Sequence, residues 1–402
     1  MKTEAGPETA PVDEREDLPL ARAVRYCLLV FLVLRLLTFV VGLASVMIVP
    51  PLGPAGVPGW PANPTPDPGW HNLFTAWERF DALWFLRIAD AGYGLGDGSA
   101  AFFPLYPLAI RSVSLLLLGH PFAASFLVSN GAFVGALVMT YLLTAMEFDE
   151  RRARTTVVLI SFFPTSYFFL MPYSESLFLL CAVTAFWGAR RGRWVLAGAA
   201  GAAAALTRSV GLVLVPALAI EAFHRRAEGR GRAWPGLLAA GATGLGTLAY
   251  LGWWQLRAGE WLAPITEQRN WQREFWWPWT TLWRATKIAF SGGHIGDVDG
   301  AYWLIDWLIV IPVLLLAVYA AGRFRPSYAV FLWGGLLLPL SFVFWGRPLI
   351  SMPRFVLTLF PVFWAAAELA DGFHVPRWAL AAVGAVGIGV LSVLTVNWYY
   401  IF

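Results

Sequence analysis

The chain has 402 residues, of which 58% are hydrophobic and 13% charged, with a formal net charge of +4. A soluble globular domain carries roughly 25% charged residues, so the composition excludes one and points to a polytopic membrane protein. It leaves no nucleic-acid footprint either, because the arginines fall in short clusters between apolar runs and form no basic stripe.

Residues 1–22 are polar and acidic, unlike the basic start of a signal peptide, and no small-residue cleavage site follows. They read as a disordered cytoplasmic tail. Apolar runs then recur at 28–49, 122–146, 195–206, 303–321, 328–343 and 378–396. A bilayer is crossed by roughly 20 apolar residues, so 23–402 is predicted to be one all-α membrane domain of about 9–11 transmembrane helices.

After the first span comes a Pro/Gly-rich loop, 50–70. Winding 77–93 as a helix puts Arg79, Arg87 and Asp90 on one side. Trp77, Trp84, Phe85 and Ile88 fall on the other, with Asp81 in their midst. The segment is predicted to be an amphipathic helix on the membrane surface, inside an outer loop spanning 50–101. A carboxylate on an aromatic face is costly unless something uses it. Asp81 is therefore the candidate catalytic base; the alternative is a surface charge pairing with Arg79 or Arg87.

Basic clusters at 151–154, 190–193, 224–232, 322–325 and Arg377 mark the cytoplasmic side. Counting crossings leaves one conflict. If 102–118 is a full span, 151–154 falls outside; Pro104, Pro107 and Arg111 argue that the segment does not cross. Between the first two clusters lie about 35 residues, too many for one span and too few for two with a loop. Pro164, Pro172 and the polar run 173–176 divide that interval, and Thr207, Arg208 and Ser209 divide the next. Polar breaks at membrane depth occur where they line a cavity, so Glu175 and Arg208 are expected in one cavity opposite the basic loops. Ser174 as a helix cap, Glu175 as a first-turn acid and a structural Glu175–Arg208 pair are the alternatives.

A second outer loop, 258–302, and the segment 345–355 add Arg269, Arg273, Arg347 and Arg354. Arg347 and Arg354 also read as interface anchors, and Trp276, Trp277 and Trp279 as a membrane belt. Cys27 and Cys181 sit in apolar runs as buried thiols, and His71 and His294 read as loop residues. None forms a metal-ligand cluster, so metal-independent chemistry without a cofactor is expected.

One carboxylate and several arginines at the outer leaflet suit a lipid-linked phosphate, which arginine binds with paired hydrogen bonds. The carboxylate takes a proton from an attacking hydroxyl. Transfer of a sugar from a lipid phosphate to a hydroxyl, with inversion, is the simplest reaction these groups support. A transporter or flippase of lipid-linked sugars would share the cavity, but such folds usually carry an internal repeat, and none is evident.

The run FDALWFLRIADAGYG at 80–94, followed by AAFFPLYP at 100–107, resembles the signature of the PIG-V group, the GPI mannosyltransferase II family, and its bacterial relatives. That signature is Trp-Asp-Ala-x-His-Phe-x-x-Ile-Ala-x-x-Gly-Tyr, then Ala-Phe-Phe-Pro-x-x-Pro. Residues 162–180 are similar to its Pro-x-x-x-Phe and Tyr-Ser-Glu segment, 205–212 to its Thr-Arg-Ser-x-Gly segment, and 353–355 to a later Arg-aromatic element. The resemblance implies a GT-C glycosyltransferase fold. It also implies an inverting, multi-pass enzyme of the cell membrane that uses polyprenyl-phosphate mannose on the extracytoplasmic face. The acceptor would be a lipid-linked or cell-envelope glycan. The family's acid maps onto Asp81, its Tyr-Ser-Glu onto Tyr173, Ser174 and Glu175, and its Arg onto Arg208. With Trp84, Arg269, Arg273 and Arg354 these complete the expected substrate-binding set. The chain departs at Phe80, where the family has Trp, and at Trp84, where it has His; where that His touches substrate in relatives, the acceptor contact differs here.

Overall fold

The computed structural model describes residues 20–53, 55–60, 72–291 and 298–399. His71, His294 and residues 1–19 of the expected tail lie outside the described residues. Leu20, Ala21 and Arg22 already belong to the first helix, Leu20–Ile48, where Arg22 lies 3.2 Å from Glu150.

Among the described residues, four helices are long and apolar enough to cross a membrane: Leu20–Ile48, Pro121–Glu147, Ala301–Arg323 and Arg377–Val396. A bent pair, Met352–Thr358 with Phe360–Gly372, turns by 82° and makes a fifth candidate. Shorter apolar helices, Leu105–Leu116, Trp194–Thr207 and Pro326–Ser341, pack among them. The helix Trp234–Ala258 escapes the reading of apolar runs because it carries five glycines. Two of them, Gly236 and Gly246, lie against neighbouring helices, and Gly198 of Trp194–Thr207 faces this helix in turn. A Cβ on Gly246 would stand 2.6 Å from the Ala202 carbonyl oxygen, and one on Gly198 would stand 3.0 Å from Ala239 Cα. Helices in a bilayer associate through such close backbone approach.

The basic clusters gather at one end of the bundle through ion pairs. Arg190 joins Glu147 and Glu221, the latter at 3.0 Å. Arg325 meets Glu228 at 2.7 Å and Glu221 at 3.3 Å. Arg152 and Arg323 share Glu368 at 3.3 and 2.6 Å, and Arg151 reaches Asp371 at 3.3 Å. The starts of Leu20–Ile48 and Glu150–Ser161 and the ends of Pro121–Glu147, Glu175–Arg190, Leu214–Ala227, Val298–Arg323 and Phe360–Gly372 all lie at this basic end.

This arrangement resolves the crossing count. Leu105–Leu116 has 12 residues, about 18 Å of helix against a hydrocarbon core of about 30 Å. It turns back beside the start of Pro121–Glu147, with Tyr106 bonded to Ser129 at 2.6 Å. The chain therefore leaves the basic end once in Leu20–Ile48, its described residues up to 120 stay at the opposite end, and it returns in Pro121–Glu147.

The expected amphipathic surface helix is corrected. The helix is Asp81–Ala91, and Ala82, Leu83, Trp84, Phe85, Leu86, Ile88 and Ala89 are all buried. It is packed inside protein on nearly every side. Arg79 lies ahead of it and is buried, with Nε donating to the Val396 carbonyl at 2.8 Å and Nη1 to the Thr75 carbonyl at 3.1 Å. It does not pair with Asp81. The segment expected as a second outer loop carries regular structure in its described residues: Pro278–Ala289 is helical, and Arg273–Phe275 pairs antiparallel with Phe342–Phe344.

Candidate active site

Two helices begin at the same place. Asp81 is the first residue of Asp81–Ala91, and Glu175 is the first of Glu175–Arg190. Unpaired backbone N–H groups and the helix dipole make each start favourable to negative charge. Both breaks foreseen in the sequence are present: Glu150–Ser161 ends before Pro164 and Glu175–Arg190 resumes at Glu175, while Trp194–Thr207 stops immediately before Arg208.

The charged groups form a chain. Arg354 Nη1 donates to Asp81 Oδ2 at 2.6 Å, and Arg354 Nε lies 3.3 Å from Glu175 Oε1. Arg208 Nη1 is 2.6 Å from the same Glu175 oxygen and donates to Ser174 Oγ at 3.2 Å. Ser174 thus accepts from Arg208, and its side chain does not cap the helix. The Glu175 side chain is 1% exposed and that of Asp81 22%. Asp81 has no side-chain partner other than Arg354 among the described residues, so Oδ1 is the oxygen left for a ligand.

Tyr173, fully buried, ties the approach to Asp81. Its hydroxyl accepts from the Asp81 N–H at 3.2 Å and donates to the Arg79 carbonyl at 3.2 Å. Between them Phe80 adopts φ 54° and ψ −119°, a positive-φ conformation outside the allowed regions that costs a bulky residue about 1–3 kcal/mol. Its ring packs edge-on against Trp398 with centroids 5.5 Å apart.

Three guanidinium groups surround one ring. Arg208, Arg354 and Arg273 lie 5.1, 5.2 and 5.9 Å from the centre of Phe355. The short two-stranded sheet brings Arg273 in; it donates to the Phe342 carbonyl at 3.2 Å and to Ser351 Oγ at 3.4 Å. Arg354 also faces Phe168 and Tyr173, at 5.6 and 5.3 Å. Against two carboxylates, the three arginines leave this group of five side chains with one net positive charge.

Trp84, one turn beyond Asp81, stacks on Phe102 at 5.5 Å and meets Trp271 edge-on at 5.4 Å. The turn carrying Trp271 grips the glycine-rich loop after Asp81–Ala91. Glu267 accepts from the Gly96 and Ala100 N–H groups, both at 3.1 Å, and Trp271 Nε1 donates to the Gly98 carbonyl at 3.4 Å. Within that loop Asp97 pairs with Arg87 at 2.5 Å. Burial of the Asp97 carboxyl acts to raise its pKa, but hydrogen bonds from Ser99 and the Arg87 guanidinium outweigh it and hold the group below the usual carboxylate range.

Two expected members stand apart. Arg347 does not reach the chain of charges; it is held by Asp306, with Nε–Oδ2 2.6 Å and Nη2–Oδ1 2.9 Å. An aspartate inside the apolar run 303–321 was the signal for that partner. Arg269 is exposed on the turn Glu267–Trp271 and has no ion pair among the described residues. Conversely, Arg354 is no interface anchor but the group between both carboxylates. Thr165 fixes its segment by donating to the Pro353 carbonyl at 2.7 Å, a contact no motif foretells. No group of three or more His, Cys, Asp or Glu side chains is placed to hold a metal ion among the described residues.

Gly211 explains the glycine of the Thr-Arg-Ser-x-Gly block. A Cβ there would stand 2.5 Å from the Ala205 nitrogen and 2.6 Å from Ala204 backbone atoms. Backbone cannot yield as a side chain does, so Gly211→Ala is expected to cost about 1–3 kcal/mol and to displace Arg208. Thermal unfolding in micelles, with transfer activity measured alongside, checks it; an unchanged midpoint with full activity would remove this role for Gly211.

The model of the family described as mannosyltransferase (PIG-V) matches residues 26–228. The comparison with curated proteins returns no match. Among solved structures, 94% of the chain is similar to the Archaeoglobus fulgidus oligosaccharyltransferase tethered with an acceptor peptide. That match has 12% identity, 55% coverage of the other chain and a TM-score of 0.46. It is also similar over 93% of its length to ArnT from Cupriavidus metallidurans bound to undecaprenyl phosphate, with 14% identity, 76% coverage and a TM-score of 0.47. The chain spans about half the length of the oligosaccharyltransferase chains it matches.

Proposed function

This chain belongs to the mannosyltransferase (PIG-V) family of glycosyltransferases, and we propose that it moves mannose from polyprenyl-phosphate mannose to a hydroxyl of a lipid-linked or cell-envelope glycan, on the extracytoplasmic side of the cell membrane. The observation that carries this reading is the chain of charges Asp81–Arg354–Glu175–Arg208 at two helix starts. Measured along Glu175–Arg190, it lies about 22 Å from the basic end. That depth suits a phosphate whose tail stays in the bilayer.

In this reading Arg354, Arg208 and Arg273 receive the donor phosphate, and Glu175 holds two of those guanidinium groups in place. The acceptor hydroxyl gives its proton to Asp81 Oδ1 as its oxygen forms the new bond to the anomeric carbon. The bond from that carbon to the phosphate oxygen breaks, and polyprenyl phosphate leaves with the electron pair, neutralised by the arginines. Attack opposite the leaving group inverts the anomeric centre. Trp84 and Trp271, packed against each other one turn beyond Asp81, are the aromatic residues this reading assigns to the sugar. A GT-C fold and an outward-facing site belong to the same reading.

Incubating the purified chain with labelled polyprenyl-phosphate mannose and a membrane extract tests it by thin-layer analysis. New mannosylated lipid is the expected result. Unchanged donor that has crossed a vesicle membrane would replace the enzyme with a transporter of lipid-linked sugars.

A further inference from the structure

A second cationic group sits away from the chain of charges. Arg35 lies within Leu20–Ile48, near the middle of the helix, and is 7% exposed. Its guanidinium carbon is 4.1 Å from the centre of the Phe39 ring and 4.7 Å from that of Phe126. Phe74 meets both rings edge-on, at 5.2 and 5.6 Å, and closes the sleeve. Nη1 and Nη2 are buried and have no hydrogen-bond partner among the described residues.

Aromatic faces attract the cation, but they do not take its hydrogens. The N–H donors of a guanidinium lie in its plane, and a buried donor without an acceptor is costly. A charged residue unpaired at membrane depth marks a functional site. Its depth is informative. From Tyr26, whose ring lies under Arg154 at the basic end, to Phe39 is about 20 Å of helix. That matches the depth of the Asp81–Arg208 chain. An anion reaching this level from the bilayer must bring an apolar body, and Leu32, Leu36 and Val40 offer an exposed apolar strip beside Arg35.

We propose that Arg35, with Phe39, Phe74 and Phe126, forms a second binding site for the phosphate of a membrane lipid, distinct from the site at Arg354. The planar fork pairs with two phosphate oxygens, the rings shield the pair from water, and the tail lies along the exposed leucines. The phosphate comes from a bulk anionic phospholipid or from a polyprenyl phosphate. Both present the same chemistry.

The test uses the full chain in lipid nanodiscs. Photoactivatable phosphatidylglycerol, photoactivatable polyprenyl phosphate and photoactivatable diacylglycerol, which lacks phosphate, are compared by mapping the label onto peptides. At least one phosphate lipid is expected to label peptides containing residues 35–39 and 122–127 about tenfold more than diacylglycerol, as one charge-assisted contact implies. Which of the two does so identifies the source. Equal labelling by the phosphate-free lipid overturns the proposal, and this comparison needs only the wild-type protein. In Arg35→Met the excess is expected to vanish; if the variant folds and keeps it, the phosphate does not sit on Arg35.

Discussion

Asp81→Asn is expected to abolish sugar transfer while leaving the lipid donor bound. The substitution removes the group proposed to accept the acceptor's proton and keeps its shape. A positioned general base contributes about 10²–10⁴-fold, equivalent to about 3–5 kcal/mol of barrier. In the proposed reaction donor binding would rest on Arg208, Arg273 and Arg354, which the substitution leaves in place. The amide oxygen still accepts from Arg354, so the bond now 2.6 Å long becomes a weaker neutral contact and the fold is retained. Single-turnover transfer and equilibrium binding of labelled polyprenyl phosphate separate the two effects. Normal turnover by Asp81→Asn would remove Asp81 from the chemistry, and loss of donor binding with the rate would make it a structural acid.

Arg354→Met is expected to fail in both respects. Arg354 is the one ion-pair partner of Asp81 among the described residues and one of two for Glu175. Truncating one partner of a buried ion pair costs about 3–5 kcal/mol, because the other charge stays buried. The partial exposure of Asp81 puts the expected loss at the lower end of that range, and donor binding falls as well. Lysine restores the charge, but a point ammonium cannot serve two carboxylates as Nε and Nη1 do. Arg354→Lys is therefore expected to regain much of the stability and little of the transfer. The double variant Asp81→Asn with Arg354→Met should unfold at a higher temperature than Arg354→Met alone, since Asp81 then no longer leaves a carboxylate without its ion-pair partner, while Glu175 keeps Arg208. Independent, additive losses would show that the pair does not couple.

What was legible in the sequence was local. Polar residues interrupting apolar runs at 173–176 and 207–209 announced the two broken helices, and Glu175 and Arg208 meet there at 2.6 Å. The main apolar runs announced the long helices. The helix Trp234–Ala258 stayed hidden because five glycines, of which Gly236 and Gly246 pack closely against neighbours, lower its hydropathy. Periodicity placed Asp81 among aromatic residues, but it distinguishes only two faces. It could not show that Leu83, Leu86 and Ala89 are covered by protein as well, which turned an expected surface helix into a buried one. The partner of Asp81 lies 273 residues away, and no local pattern links them. Arg354 and Arg347 looked alike as arginines beside prolines in one segment. Asp306 engages one and Asp81 the other, and only the fold decides which.

The most direct test of the catalytic arrangement is a density map of the chain with polyprenyl phosphate bound. The phosphate is expected within hydrogen-bond reach of Arg354 and Arg208, with Asp81 Oδ1 across a gap wide enough for one sugar ring. A phosphate seated elsewhere, with Arg354 still bridging Asp81 and Glu175 and no ligand beside it, would contradict the assignment.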